Sequence, residues 1–496
     1  MAGYKLTELP RPWFDEGWTL STARNWAENN VYALRLVDQW ISPEAMTQYF
    51  TVTMPVAFSM RIFGIGIVQA RLPGILSTIG MFALLFLLTK EIYNSKVAWG
   101  TLFAILLLAP VPDLQPLIFG RQALGEMPML FYLLAGYWFL GKALQKRGSR
   151  TRLAFILFTA ILWSVGTVSK RQALPFWLLS WIFPALVALW RRNWRILKII
   201  LAAGILAVII VILLIGLNSM LDNSWPSYGS SIVRPLYSMA MIWDKEIRTL
   251  SLTIAILYGF TTLSGLFYAA YLLTRKFVIA PEPGVTKWIE LSIFTFASSW
   301  MGWFVMGSWS WPRYLGPVYV TGGMFFAKFI YDSTEQYDLR SMHKKLAADF
   351  RSGMFIRSAL QAVAAIALVI WGLWAGSAGW KSALAQATDD PYQAADYINA
   401  NTPKDALIET YDSELFFLLD RPYHYPPPEI QVQLNRRMFL YSDAPIDYKP
   451  MDADPDYIIV GPFSRDWGLY KQLVNGSKFK LVKKFGSYAI YEQVRK

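Results

Sequence analysis

The chain is dominated by apolar runs of roughly 20 residues, the length a helix needs to cross the hydrocarbon core of a bilayer. They fall at about 72–92, 97–113, 127–144, 152–169, 172–190, 197–217, 247–273, 287–306, 311–331 and 355–375. In lipid each backbone N–H and C=O must be satisfied within the segment, so runs of this kind are helices. The expected fold class is therefore mainly α, a polytopic transmembrane helical bundle of about ten spans plus interfacial helices. One more apolar stretch, 47–67, carries Pro55 mid-segment and Arg61 near its end, and is read as interfacial or re-entrant rather than spanning. Composition fits this reading: 55% of residues are hydrophobic and only 16% charged, and the 22 Trp suit aromatic belts at both interfaces.

The formal charge of +13 does not imply nucleic acid, because most Lys and Arg sit in short clusters between apolar runs. With 47–67 not crossing, Lys90 and Lys96, Lys142 to Arg152, Arg191 to Lys198, Arg275 to Lys287 and Arg340 to Arg351 share one side. The other side has only Arg121, Lys170, Arg171, Arg234, Lys245 and Arg313. The richer side is cytoplasmic by the positive-inside rule. The expectation is an integral, multi-pass protein of the cell inner or plasma membrane, with residues 1–71 as an outward loop bearing interfacial helices. Residues 72–377 form the helical domain, and 378–496 form an extracytoplasmic C-terminal domain. That tail opens with a helix-like stretch at Pro391–Asn399. Strand-like runs follow at Ala406–Thr410, Asp456–Val460 and Lys478–Tyr491, the last a hairpin about Gly486, which reads as a small α/β unit. An outward N-terminal segment also leads us to expect a transmembrane helix ahead of it. The chain has no cysteine, which excludes thiolate chemistry, and two histidines, too few for a His-rich metal site.

Several outward motifs could carry chemistry. Asp15 and Glu16 lie in Trp13-Phe14-Asp15-Glu16-Gly17, where they either complement a helix dipole or supply a base. Arg121 and Glu126 bracket the outer end of a span, as a boundary ion pair or a functional one. Lys170 and Arg171 are adjacent cations on the side the positive-inside rule disfavours, fitting lipid headgroups or an anionic ligand such as a phosphate. Arg313 and Tyr314, in Ser310-Trp-Pro-Arg-Tyr, sit at another outer end, where snorkelling is the simpler account. In the tail, Asp412 and His424 are possible cavity contacts, though a His beside prolines is more often structural. Acids and cations gathered on one face suit a reaction on an anionic, lipid-linked substrate, with a carboxylate as general base and cations on a phosphate leaving group.

These motifs resemble those of the C-type superfamily of integral-membrane glycosyltransferases. The resemblance rests on Asp15-Glu16 in the first outward loop, the Arg121–Glu126 pair, Ser169-Lys-Arg-Gln172, Pro312-Arg-Tyr314, and the tail segments Asp456-Tyr-Ile-Ile-Val-Gly-Pro and Phe485-Gly-Ser-Tyr-Ala-Ile-Tyr. The nearest groups are protein O-mannosyltransferases and the aminoarabinose transferases that modify lipid A. The resemblance implies an inverting hexosyl- or pentosyltransferase using a polyprenyl-phosphate-linked donor on the extracytoplasmic side. It implies Asp15 as general base and Glu16 and Glu126 at the acceptor or metal site. Arg121, Lys170, Arg171, Arg313 and Tyr314 become candidates for the donor phosphate. The implied partners are that donor, membrane lipid, and a lipid, glycan or protein acceptor. Some relatives use a divalent ion and others none, so metal dependence stays open, with Asp15 and Glu126 as candidate ligands. The family's first transmembrane helix, expected just before Asp15, is not in this sequence. The alternative is a transporter or flippase of a lipid-linked saccharide, which would show internal repeats and broken mid-membrane helices. No repeat is visible.

Overall fold

In the computed structural model, residues 5–43, 47–146, 148–222, 241–279, 283–352, 355–427 and 446–495 are described, with isolated residues between 430 and 437. Most of the 218–246 segment, including Arg234, lies outside them, as does Arg147.

The chain opens with helix α1 (Phe14–Asn29), a short antiparallel hairpin of β1 (Leu34–Leu36) and β2 (Gln39–Ile41), and helix α2 (Phe50–Phe63). The bundle follows: α3 (Ile67–Ile92), α4 (Ser95–Leu107), α5 (Glu126–Gln145), α6 (Ser149–Ser169), α7 (Leu174–Trp190) and α8 (Trp194–Asp222). It continues with α9 (Lys245–Tyr258), α10 (Phe260–Thr274), α11 (Val285–Gly307), α12 (Gly316–Ser333), α13 (Leu339–Ser352) and α14 (Phe355–Ala385). Seven of the described helices are long and apolar enough to span, or up to eight if the bent pair α9–α10 counts as one. The protein is a multi-pass, mainly helical membrane protein.

Each of the expected spans is found as helix, with three differences from full apolar crossings. Helix α4 stops at Leu107 because Pro110 and Pro112 follow, and a residue before proline leaves the helical region. The run 247–273 breaks at Gly259, where α9 and α10 bend by 84°. Gly265 then lies so close to the Phe325–Phe326 backbone of α12 that a Cβ would clash. Helix α12 has 18 residues and is mostly buried. Its Tyr319, Thr321, Lys328 and Asp332 face protein rather than lipid, so the helix need not be uniformly apolar. Helix α2 has 14 residues, about 21 Å of helix, short of a crossing.

The tail begins with α15 (Asp390–Asn401) and forms one sheet of β3 (Ile408–Glu409), β4 (Tyr423–His424), β5 (Tyr457–Val460), β6 (Phe479–Phe485) and β7 (Tyr488–Gln493). Its order is β4-β3-β5-β7-β6, with parallel pairs among β4, β3 and β5 and antiparallel pairs beyond. Side chains alternate across a strand. Ile408, Tyr423, Tyr425, Ile459 and Ile490 pack with Trp18 of α1 on one face, while Ile458, Val460, Tyr470 and Phe479 line the other. Trp18 meets Phe416 and Tyr425 edge-on, each at 5.0 Å. Helix α1 is thus shared between the tail and the bundle.

Two contacts fix how α1 sits. The first is a fully buried ion pair. Arg71, near the start of α3, donates from Nε and Nη2 to Glu16 at 2.9 and 2.8 Å, with both side chains at 0% exposure. Arg71 Nη1 donates to the carbonyls of Leu6 and Pro10 at 2.7 and 2.9 Å, and the Ala123 N–H donates to Glu16 at 3.0 Å. The second is steric: a Cβ on Gly17 would lie 2.3 Å from the Ser413 carbonyl, and Ser413 Oγ donates to the Phe14 carbonyl at 2.6 Å. Beside it, Glu414 is buried, with one oxygen accepting from Tyr488 at 2.6 Å and the other unpartnered among the described residues. Burial, then the neighbouring Asp412 charge, pushes its pKa up to about 8.

Three outcomes follow. Arg71→Met leaves a buried carboxylate unpaired and should cost roughly 3–5 kcal/mol, read as a lower thermal midpoint in detergent. Glu16→Gln added to it should recover part of that loss. Gly17→Val should pry the tail from α1 and expose it to limited proteolysis while the bundle stays helical by circular dichroism. Glu414 binds its proton more tightly folded than unfolded. Its contribution is therefore present at acid pH and is lost as pH rises from the ordinary carboxylate range to about 8. A pH series of thermal midpoints should show this decline, and Glu414→Gln should flatten it.

Candidate active site

One end of the bundle collects charge from several elements. Helix α6 ends at Ser169, and Lys170 turns out in extended conformation (φ −143°, ψ 94°). Helix α5 begins at Glu126 directly beside it, because Gly125 packs where a Cβ would meet the Ser169 carbonyl at 2.1 Å. Lys170 Nζ lies 3.0 Å from Glu126 Oε1. From the short turn Pro312–Leu315 ahead of α12, Arg313 reaches the same oxygen with Nε and Nη2, each at 3.1 Å. Two cations therefore share one carboxylate oxygen. Glu126 is 4% exposed, and its Oε2 is buried with no partner among the described residues.

Asp15, in the first turn of α1, is half-buried, and its charge acts on Arg313 and Tyr314. Burial works against the Arg313 charge, but Glu126 and then Asp15 outweigh it and raise the guanidinium pKa. The Tyr314 phenol is pushed up by burial and then by Asp15. Tyr314 itself is held by Trp303 and Trp311, with ring centroids at 5.6 and 5.7 Å, and its carbonyl accepts from Trp300 Nε1. The tail closes over the start of α1: Trp13 packs on Phe463, and Phe14 on Tyr411 and Phe463.

The expected site residues separate into two groups. Asp15, Glu126, Lys170, Arg313 and Tyr314 come together. Glu16 does not join them, since Arg71 and the Ala123 N–H occupy its oxygens. Arg121 is buried nearer Arg71 and donates to the Leu9 carbonyl at 3.0 Å. Arg171 diverges from Lys170 and lies over the Tyr49 ring at 4.2 Å. Neither tail candidate reaches the cluster. Asp412 takes the Gly461 and Phe463 N–H groups and the Ser464 hydroxyl, capping the short helix Pro462–Asp466. His424 points off the opposite face of the sheet and pairs through Nδ1 with buried Glu409 at 2.6 Å.

Two participants escaped sequence reasoning. Arg71 stands at a span boundary, where a cation looks ordinary. Asp113, in the turn after α4, is close enough to Arg313 for each to feel the other, and burial raises its pKa against that attraction. A lone acid in an apolar outer turn was the available signal.

The donor set is rich in cations. Glu126 Oε1 already serves two cations. No three His, Cys, Asp or Glu side chains cluster as metal ligands among the described residues. A site with two convergent cations, one of them a guanidinium, suits an oxyanion instead.

A family model described as dolichyl-phosphate-mannose-protein mannosyltransferase matches residues 51–217, less than half of the chain. No curated protein matches it by sequence. Among solved structures, ArnT from Cupriavidus metallidurans bound to undecaprenyl phosphate is similar, with a TM-score of 0.59 and 15% identity over 99% of this chain and 95% of that one. The archaeal oligosaccharyltransferase AglB from Archaeoglobus fulgidus, in complex with an inhibitory peptide and a dolichol-phosphate, is similar at a TM-score of 0.55 and 12% identity. That match covers 93% of this chain and 67% of that one. The chain has the fold of these two proteins, as its resemblance to the C-type membrane glycosyltransferases requires, and part of it matches the mannosyltransferase family model.

Proposed function

We propose that this protein is an inverting glycosyltransferase that moves a sugar from a polyprenyl-phosphate-linked donor to an acceptor hydroxyl on the extracytoplasmic side. The observation that carries this reading is the convergence of Asp15, Glu126, Lys170 and Arg313 from separate elements at one end of the bundle. Similar proteins have been solved with undecaprenyl phosphate and with dolichol-phosphate. Lys170 and Arg313 then hold the donor phosphate, with Tyr314 beside them. Glu126 keeps the two cations oriented while its second oxygen stays available to the substrate. Asp15 takes the proton from the acceptor hydroxyl. The acceptor oxygen attacks the anomeric carbon from the face opposite the phosphate. The carbon–phosphate-oxygen bond breaks with its electron pair on that oxygen, where Lys170 and Arg313 stabilise the charge. One displacement inverts the anomeric centre, and polyprenyl phosphate leaves. In this reading Glu16, Arg71 and Arg121 position the site without touching substrate. The outward orientation follows from the charge bias of the loops.

The break at Gly259 is a feature that transporters share. Vesicles loaded with labelled donor separate the two readings: transport moves intact donor across the bilayer, whereas transfer releases polyprenyl phosphate and glycosylates the acceptor.

Asp15→Asn should lower turnover by about two to four orders of magnitude, as loss of a positioned base does, with unchanged expression and thermal midpoint. Turnover near wild type would remove Asp15 from the mechanism. Lys170→Gln and Arg313→Gln should each weaken binding of polyprenyl phosphate as a product inhibitor. Arg171→Gln, whose side chain faces Tyr49, should leave that inhibition nearly unchanged.

A further inference from the structure

Arg313 reaches Glu126 from a turn that another helix holds. Between α11 and α12 the chain runs Ser308-Trp-Ser310-Trp-Pro-Arg313, and Ser310 sits in the left-handed region at φ 63°. A residue with a Cβ is disfavoured there and stays only where its surroundings overdetermine it. Here those surroundings are α9 and the residues just before it. Ser310 Oγ donates to the Ile247 carbonyl at 2.9 Å and so accepts from Ser251 Oγ at 2.6 Å. Arg248 Nη1 donates to the Val305 carbonyl at 2.8 Å, and its Nη2 donates to the Ser308 carbonyl. The Ile242 N–H donates to the Gly307 carbonyl at 2.9 Å. Ser251, Ser308 and Ser310 are all buried, where a lost partner is costly.

One turn of α9 supplies most of this grip, since Ser251 stands four residues from Ile247 and three from Arg248. The far end of the turn is fixed separately, where Trp300 Nε1 donates to the Tyr314 carbonyl at 2.8 Å. Arg313 lies between the two anchors. The backbone leaving Ser310 sets the direction of its side chain, which then meets Glu126 Oε1 with Nε and Nη2, each at 3.1 Å. If Ser310 relaxed to an ordinary negative φ, the chain after it would leave in another direction and carry Arg313 with it.

We propose that Arg248 and Ser251 of α9 are positioning residues for Arg313: they hold Ser310 in its left-handed conformation, and that conformation aims the guanidinium at the donor phosphate. The inference rests on Arg313 as a phosphate ligand, the role given to it above. It adds α9, which holds the Arg313 turn from behind, to the elements on which donor binding depends.

The test measures the dissociation constant of undecaprenyl phosphate for the full-length protein in phosphatidylcholine nanodiscs. Arg313→Gln should weaken binding roughly ten- to hundredfold, the worth of a bond to a charged group. Ser251→Ala and Arg248→Gln should each weaken it roughly three- to tenfold, the worth of one ordinary hydrogen bond. Ser310→Ala should do the same, whereas Ser310→Gly, which also lacks the hydroxyl but adopts positive φ freely, should stay within about twofold of wild type. In the Arg313→Gln background neither Ser251→Ala nor Arg248→Gln should weaken binding further, because residues acting through one group are not additive. Equal losses in Ser310→Ala and Ser310→Gly overturn the proposal, since the hydroxyl and not the turn would then matter. Full additivity with Arg313→Gln overturns it as well, since the α9 residues would then act independently of Arg313. Where Ser310→Ala does not assemble, the α9 variants decide, and wild-type binding in both Ser251→Ala and Arg248→Gln overturns the positioning role. In that case a loss in Arg313→Gln leaves Arg313 as a phosphate ligand, whereas wild-type binding in Arg313→Gln removes that role and this inference together.

Discussion

The half of this protein that carries the candidate active site depends on one buried ion pair. Arg71 and Glu16 satisfy each other bidentately at zero exposure, and their remaining hydrogen bonds reach the Leu6 and Pro10 carbonyls and the Trp13 and Ala123 N–H groups. A buried pair gains little net stability by itself, because desolvation offsets its attraction. What it supplies here is position. It ties the N-terminal strap, α1, α3 and the 121–126 turn to one point. Successive residues on a helix point about 100° apart, since there are 3.6 per turn. Fixing Glu16 inward toward Arg71 therefore also fixes the direction of Asp15, its neighbour. Breaking the pair would loosen the proposed base without touching it.

Charge balance distinguishes the two ends of the bundle. At the end that carries the candidate site Lys170 and Arg313 crowd onto one oxygen of Glu126, with Asp15 and Asp113 close by. These groups come close to neutrality only as a set, and each is held by a different element. At the other end each carboxylate takes one lysine, Lys287 on Glu290 and Lys328 on Asp332. In both places aromatic rings pack beside the charges, Tyr314 with Trp303 and Trp311 at one end and Tyr93 at the other.

Much of this was legible in the sequence. Apolar runs locate helices in lipid because the backbone has no other way to satisfy its polar groups, so every expected run appears as helix. The hairpin around Gly486 was equally plain, and the residue sits at φ +49°. The break at Gly259 was not legible, because one glycine inside an otherwise apolar run does not by itself end a helix. The site was legible in part. Lys170 and Arg313 stood out as cations on the disfavoured side, and Glu126 as an acid at a helix start. Their partners did not, since pairing depends on which helix ends are neighbours. The expected Arg121–Glu126 bracket gave way to Glu126 with Lys170 and Arg313. Arg71 was invisible for the same reason: only the fold shows that it faces Glu16. In the tail, Asp412 and His424 read as cavity residues because polar residues in loops suggest function, yet one caps a short helix and the other pairs with Glu409.

The central claim is that Asp15, Glu126, Lys170 and Arg313 enclose one site for a lipid-linked phosphate. A density map of the protein with bound polyprenyl phosphate tests it most directly. The account predicts phosphate density within hydrogen-bonding distance of Lys170 or Arg313, on the same side of the membrane as Asp15. Phosphate density elsewhere, with Lys170 and Arg313 still closed on Glu126, would contradict it.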